Sequence, residues 1–383
     1  MAFGKSNNPA VQNSSFRGQA RQQQAARPRG GGGGAPSWIN RFQPSLEEPD
    51  KIRILRGNYE VEIGQQDGTI QTSTLFYFPY IEHFHGTFQK GGICSAGPLG
   101  MFKGKGEPCL GCEIFWADKN AGRKNGPMSK RELWGFSIVH FAPYAKVEQT
   151  DDQGQVKKND QGQPYWNWVR VQPHERAKYK DKEMRDFNVM HWSIGYNHQT
   201  TLLDLDKLVG KSCKSCGGRD TIICEAWTCN HCQEALIEPA NSMLSPKEIE
   251  ELTTKEVRCA SCQQMGMLQE IISCSQCANP ARAEIFDVDL DLKRSKSTDP
   301  NSKATTLMVA GWSNPRPIDQ RYAENAKPLD LKKVFAPTPY EKQQELWGGG
   351  TRAPVTGQQM SREYSRGPGG VTTLGGNNGG QSQ

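Results

Sequence analysis

Hydrophobic and polar residues alternate in short runs along most of the chain, and the runs carry the period of β-strands. Lys51-Ile52-Arg53-Ile54-Leu55 and Tyr59-Glu60-Val61-Glu62-Ile63 alternate residue by residue. Thr74–Ile81 and Leu133–Tyr144 are longer aromatic and apolar runs of β-prone type. Asp186–Tyr196, Arg282–Leu292 and Thr305–Trp312 complete the set, with turn-rich stretches such as Asp151–Pro164 and Ser295–Lys303 between them. Many short strands, few helical stripes and long connections predict a small β-barrel carrying insertions. A short helix is expected near Ser245–Thr253, behind the start signal Ser245-Pro246-Lys247-Glu248.

The cysteines interrupt this pattern. Ten of the 12 form five C-x-x-C pairs: Cys109/Cys112, Cys213/Cys216, Cys229/Cys232, Cys259/Cys262 and Cys274/Cys277. A tight turn that points two thiolates at one spot suits tetrahedral Zn²⁺, and two such knuckles complete a four-sulfur site. Disulfides suit an exported chain, and Met1–Ala35 has no apolar stretch of the kind an export signal needs. A redox reading fits one pair better than five. Taken in order, Cys213/Cys216 with Cys229/Cys232 and Cys259/Cys262 with Cys274/Cys277 predict two tandem zinc ribbons, with an interleaved pairing as the alternative. Cys224 and His231 read as bystanders. The fifth knuckle finds partners upstream, where His83, Cys94, Cys109 and Cys112 would close a third site and His85 competes with His83. Three zinc ions are expected.

Charge adds a second theme. Of 383 residues, 47 are Lys or Arg and 41 are Asp or Glu, a net +6. Lys5, Arg17, Arg21, Arg27 and Arg29 give the segment before Pro36 a charge of +5 with no acid. Arg352, Arg362 and Arg366 against Glu363 give +2 after Trp347, which leaves −1 for the body. Basic arms gain affinity for polyanions through counterion release. No run is apolar enough for a membrane helix, so a soluble protein that stays where it is made is expected.

At this point the chain resembles a family: the single-stranded DNA-binding, helix-destabilising proteins of T-even bacteriophages. Lys51–Leu55 is similar to that family's first core strand. His83, Cys94, Cys109-Leu-Gly-Cys112 and the helix-like Glu113–Asn120 resemble its zinc loop. Lys130-Arg131-Glu132-Leu133-Trp134, His191-Trp192-Ser-Ile-Gly195 and Val309-Ala-Gly-Trp312 also have counterparts. The resemblance spans scattered blocks from Lys51 to Pro317 and leaves the ribbons out. It implies an OB-fold barrel with a zinc subdomain and a cleft that holds single strands. The domain plan is then a basic arm (1–37), a first barrel part (38–210) with its zinc loop (83–112), inserted ribbons (211–280), barrel completion (281–347) and a Gly-rich tail (348–383). The family's acidic tail has no counterpart in this tail, and Lys5-Ser6-Asn7 only faintly echoes its basic N-terminal motif.

Capture of single strands without sequence preference needs aromatic faces for bases and cations for phosphates. Lys130, Arg131, Trp134, Phe136, Trp166, Trp168, Arg170, Arg185, Trp192, Trp312 and Arg316 are the candidates. The implied role is non-catalytic coating of DNA during viral replication, recombination and repair, in the cytoplasm of an infected bacterium. The implied partners are polymerase, helicase loader, recombinase and further copies along the strand. The rival readings are a zinc-ribbon accessory factor of a transcription or primase machine, and a metal-dependent nuclease built on Asp287, Asp289 and Asp291. Those acids read more simply as the solvent face of a strand. Gly210-Lys211-Ser212 ends like a phosphate loop but has Leu205 where that loop needs glycine.

Overall fold

A computed structural model describes residues 41–64, 70–86, 90–97, 107–123, 126–150, 154–253, 255–296 and 305–347. The expectations for the arm (1–37) and the tail (348–383) fall outside the described residues. The chain is mainly β and divides into two compact units. No helix among the described residues is long and apolar enough to cross a membrane.

The first unit comprises Asn40–Gly57 and Phe136–Leu329. Its main sheet runs Thr305–Trp312, Asp289–Lys296, Asp50–Leu55 and then the end of the long strand Met128–His140, which Asn188–Ile194 also pairs. Ile52 stands opposite Leu290 on one side and His140 on the other. This register stacks Ile52, Ile54, Ile138, Leu290 and Leu292 into the core, each 0–1% exposed. Arg53 is buried among them because Asp289 lies directly across the ladder, with Nη2 to Oδ1 at 2.7 Å. Among the described residues no ladder closes this sheet on itself.

A helix at Tyr196–Val209 follows, in a segment to which the sequence pattern assigned no element. Its stripe of Leu202, Leu205 and Val209 is buried, at the three- and four-residue spacing of a helix face. A second sheet joins Tyr144–Glu148 to Trp166–Arg170 and to Met184–Arg185.

The insertion also belongs to this unit, and its topology differs from two tandem ribbons. Ile222–Cys229 pairs antiparallel with Leu268–Cys274, so that Ile222 faces Cys274 and Cys229 faces Leu268. The strand beside Cys229 and the strand leading into Cys274, which a tandem arrangement would put in separate ribbons, are thus the two sides of one ladder. A short hairpin, Val257–Arg258 with Met265–Gly266, and the exposed helix Pro246–Thr253 complete the lobe.

The second unit comprises Asn58–Gly135 and, of the described residues, 330–347. Phe78–His85 lies between Lys90–Ile93 and the first eight residues of the long strand. Tyr59–Gly64 and Ile70–Leu75 form a separate hairpin. Aromatic contacts dominate its core: Tyr77 meets Trp134 at 4.5 Å and Tyr80 stacks on Phe335 at 4.0 Å.

Candidate metal centres and nucleic-acid interface

Three groups of donor atoms converge, each with all four atoms within 4.8 Å of one another. Zinc–thiolate bonds of about 2.3 Å in a tetrahedron set the sulfurs about 3.8 Å apart. The Sγ–Sγ separations here are 3.5–3.7 Å, far beyond the roughly 2.05 Å of a disulfide. All twelve cysteines are free of disulfides. Four donors fill a zinc shell and leave no open position, which is the character of a structural site.

The first group is His83, Cys94, Cys109 and Cys112, all four buried. Strand Phe78–His85 supplies the histidine, and Cys109 and Cys112 sit at the start of helix Leu110–Asn120. The amide-rich helix start favours thiolates there. His83 Nε2 lies 3.3 Å from Cys112 Sγ, and Nδ1 has no hydrogen-bond partner among the described residues. Gly111 is required by the close approach of the ring, because a Cβ there would stand 2.5 Å from His83 Cγ. Burial pulls the His83 pKa down, but the Cys112 and Cys109 thiolates outweigh it and raise the imidazole to about 9. Hydrogen bonds from Cys112 and Cys94 hold Cys109 far below the ordinary thiol range, while its contacts with Cys109 and Cys112 push Cys94 up. Such a nest of sulfur charge is the environment a dication neutralises. His85 is outside the cluster.

The other two groups are nested. The outer knuckles, Cys213/Cys216 and Cys274/Cys277, share one cluster, and the inner knuckles, Cys229/Cys232 and Cys259/Cys262, share the other. The strand register causes this, since pairing Ile222 with Cys274 brings the start and end of the insertion together. The clusters cap opposite ends of a seven-residue ladder, about 20 Å apart. Three of the four knuckles turn through a left-handed residue: Gly217, Gln233 and Gln263, each just after a second cysteine, have φ of 72°, 60° and 58°. Their amides return to the first cysteine's carbonyl at 2.9 Å. The His231 and Gln276 amides point at Cys229 and Cys274 sulfur, at 3.4 and 3.5 Å. The Cys232 and His231 amides lower Cys229 to about 7, while the neighbouring sulfurs of Cys259 and Cys229 raise Cys232 to about 12. Cys224 contacts the Ala226 carbonyl, and His231 lies outside the cluster with Nε2 3.4 Å from the Met265 carbonyl.

Gln343, absent from the sequence reading, braces the buried site. Its side chain is fully buried, with Oε1 3.3 Å from the Gly111 amide and 3.4 Å from Cys109 Sγ. Its Nε2 donates to the Thr338 carbonyl at 2.7 Å and to Ser95 Oγ at 3.1 Å. Trp347, like Gln343 on helix Tyr340–Trp347, stands edge-on to the His83 ring at 6.3 Å and donates to the Lys90 carbonyl.

The candidate nucleic-acid residues separate into three sets. Trp134, Phe136 and Trp192 are at most 2% exposed and pack in the cores, so the expectation that they stack bases is corrected: no ring face reaches solvent. Arg170 and Arg316 are engaged by acids, with Asp50 at 2.7 Å and Asp289 at 2.5 Å. The solvent-face reading of the acids is corrected too, since Asp289 is buried between Arg53 and Arg316 and Asp287 pairs with Lys214 at 2.8 Å. Trp312 is half-buried beneath the Arg219 guanidinium, at 4.8 Å. Lys130 stands 5.6 Å over Trp116, and Arg131 is half-buried opposite Glu82 on the same ladder.

The third set forms a surface. Trp166, 48% exposed, has Lys146 Nζ 5.4 Å from its ring centre, and the half-buried Trp168 carries the Arg185 guanidinium over one face at 3.8 Å. Trp166 and Trp168 are two residues apart on one strand and so share a face, about 6.7 Å apart. Tyr165 beside them is 50% exposed. Lys146 escaped the sequence reading, which ended its run at Tyr144 and so missed the strand Tyr144–Glu148.

Comparisons with family models, with curated proteins and with solved structures found no match.

Proposed function

We propose that this protein is a non-catalytic binder of single-stranded DNA, built on an OB-like sheet and braced by three structural zinc ions. It coats unpaired strands during viral replication, recombination and repair in a bacterial host. The observation that carries this reading is the Trp166/Trp168 surface with Lys146 and Arg185 set over its rings. Every base has a face to stack, so exposed rings flanked by cations bind strands without reading sequence, at about 1–3 kcal/mol per base. Duplex bases are already stacked and gain little from such a platform.

The nuclease reading is disfavoured by the acids themselves, since Asp287 and Asp289 are held by Lys214, Arg53 and Arg316. A tryptophan-fluorescence titration with poly(dT) and with duplex DNA tests the proposal. Trp166→Ala with Trp168→Ala should weaken poly(dT) binding by about 30-fold or more, from two lost stacks at the lower end of that range. Equal affinity for duplex, or an unaffected double variant, overturns it.

A further inference from the structure

The ribbon lobe has an electrostatic character opposite to the rest of the chain. From Ile222 to Cys274 it holds eight acids against three bases, a net −5, so the remaining residues sum to +11. Seven of those acids are exposed: Glu225, Glu234, Glu238, Glu248, Glu250, Glu251 and Glu256. A zinc ion with four thiolates adds a further −2 per cluster. Such a surface repels phosphates.

The same lobe leaves apolar surface uncovered. Met243 is fully exposed at 105%, Met265 at 54% and Leu244 at 37%. Helix Pro246–Thr253 buries none of its described side chains, and Ile249 and Leu252 are only half-covered. Exposed apolar side chains on a charged lobe give a protein segment both apolar and ionic partners.

We propose that the lobe docks the basic N-terminal arm, residues 1–37 of the chain. The arm carries +5 without a single acid and has Phe3, Val11 and Phe16 among its cations, which complements a lobe of −5 with Met243, Leu244 and Met265 exposed on it. Length permits it. Forty residues precede Arg41, which at roughly 3.3 Å per residue extend well beyond the dimensions of a domain. Docking holds the arm's cations within the protein until a polyanion competes for them. The inference is independent of whether Trp166 and Trp168 stack bases.

The test is calorimetric titration of a synthetic peptide of residues 1–37 into the zinc-loaded chain lacking those residues, without nucleic acid. A second chain carries Glu225, Glu234, Glu238, Glu248 and Glu256 all as Gln. Binding at 20 mM salt should weaken at least tenfold at 300 mM, and at least tenfold in the Gln chain. Three zinc ions per chain in that variant show that the lobe is intact; if ions are lost, Met243→Ser with Leu244→Ser replaces it and should weaken binding severalfold. No binding at low salt, or equal binding to the neutralised lobe, overturns the inference. Poly(dT) binding that fails while the peptide still binds counts against the DNA reading alone.

Discussion

The buried His–Cys site and the ribbon clusters use the same chemistry in opposite surroundings. Around His83, Cys94, Cys109 and Cys112 every ligand is buried, and side chains from distant parts of the chain close the shell, Gln343 and Trp347 among them. Around the ribbon clusters Cys216 and Cys232 are exposed, and the knuckles are shaped by their own backbone amides. The difference separates two jobs for one ion. In the second unit a bound metal would substitute for hydrophobic packing where strand Phe78–His85, the start of helix Leu110–Asn120 and helix Tyr340–Trp347 meet. In the lobe, where few side chains are buried, bound metal would replace a core altogether.

The largest expected effect breaks this contrast directly. Cys109→Ser should lower zinc from three to two per chain and destabilise its unit by about 3 kcal/mol or more. Cys259→Ser should also remove one ion but leave the main melting transition in place. Calorimetry with metal analysis separates them, and a common loss of the main transition would mean that the sites are not distinct in role.

Acid should sharpen the contrast next. Zinc needs neutral imidazole and thiolates, so binding releases protons and apparent affinity rises with pH, about tenfold per unit for each proton released. At the buried site the imidazole, raised to about 9, keeps a proton to lose up to that pH. At the inner ribbon cluster the dependence should steepen below about pH 7, where Cys229 gains a proton, since Cys232 at about 12 already holds one. Chelator competition between pH 6 and 9 reads both slopes, and parallel curves would refute the assignment.

Gln343→Ala should act on the buried site alone, weakening its zinc by about 10–100-fold as loss of an outer-shell partner does. Faster chelation of one ion in three is the expected readout, and uniform release of all three would count against it. The smallest effect belongs to the lobe. Gln233→Gly and Gln263→Gly relieve left-handed residues at φ 60° and 58°, and each should stabilise by about 0.5–1 kcal/mol, visible in lobe unfolding.

Cysteine spacing made the ten knuckle ligands legible, because knuckle geometry is local, and pointed upstream to Cys94 and His83 as partners of the fifth knuckle. The partnership of the ribbon knuckles was not legible, because it depends on the register that places Ile222 against Cys274. Trp134 and Trp192 look like Trp166 in sequence, each within a strand and near a cation. Which face of the strand is buried is decided by partners such as Tyr77 and Phe42, far away along the chain. Gln343 gave no signal, being 234 residues from the sulfur it meets. The buried Asp289 was misread because alternating acids on a strand resemble a wet face until Arg53 is found opposite. The Tyr196–Val209 helix is the avoidable miss, since the spacing of Leu202, Leu205 and Val209 was visible.

The nested knuckles have a consequence for the history of such a chain. Cys213 and Cys277 sulfurs lie 3.6 Å apart, so the polypeptide leaves the parent unit and returns to it at one clasp, reinforced by Arg219 over Trp312, Glu270 on Arg282 and Glu250 near Lys207. An exchange of the whole lobe would therefore disturb the strand that carries Trp312. Insertions and deletions cost least at its far end, around the inner knuckles, where the clasp's own residues stay in place.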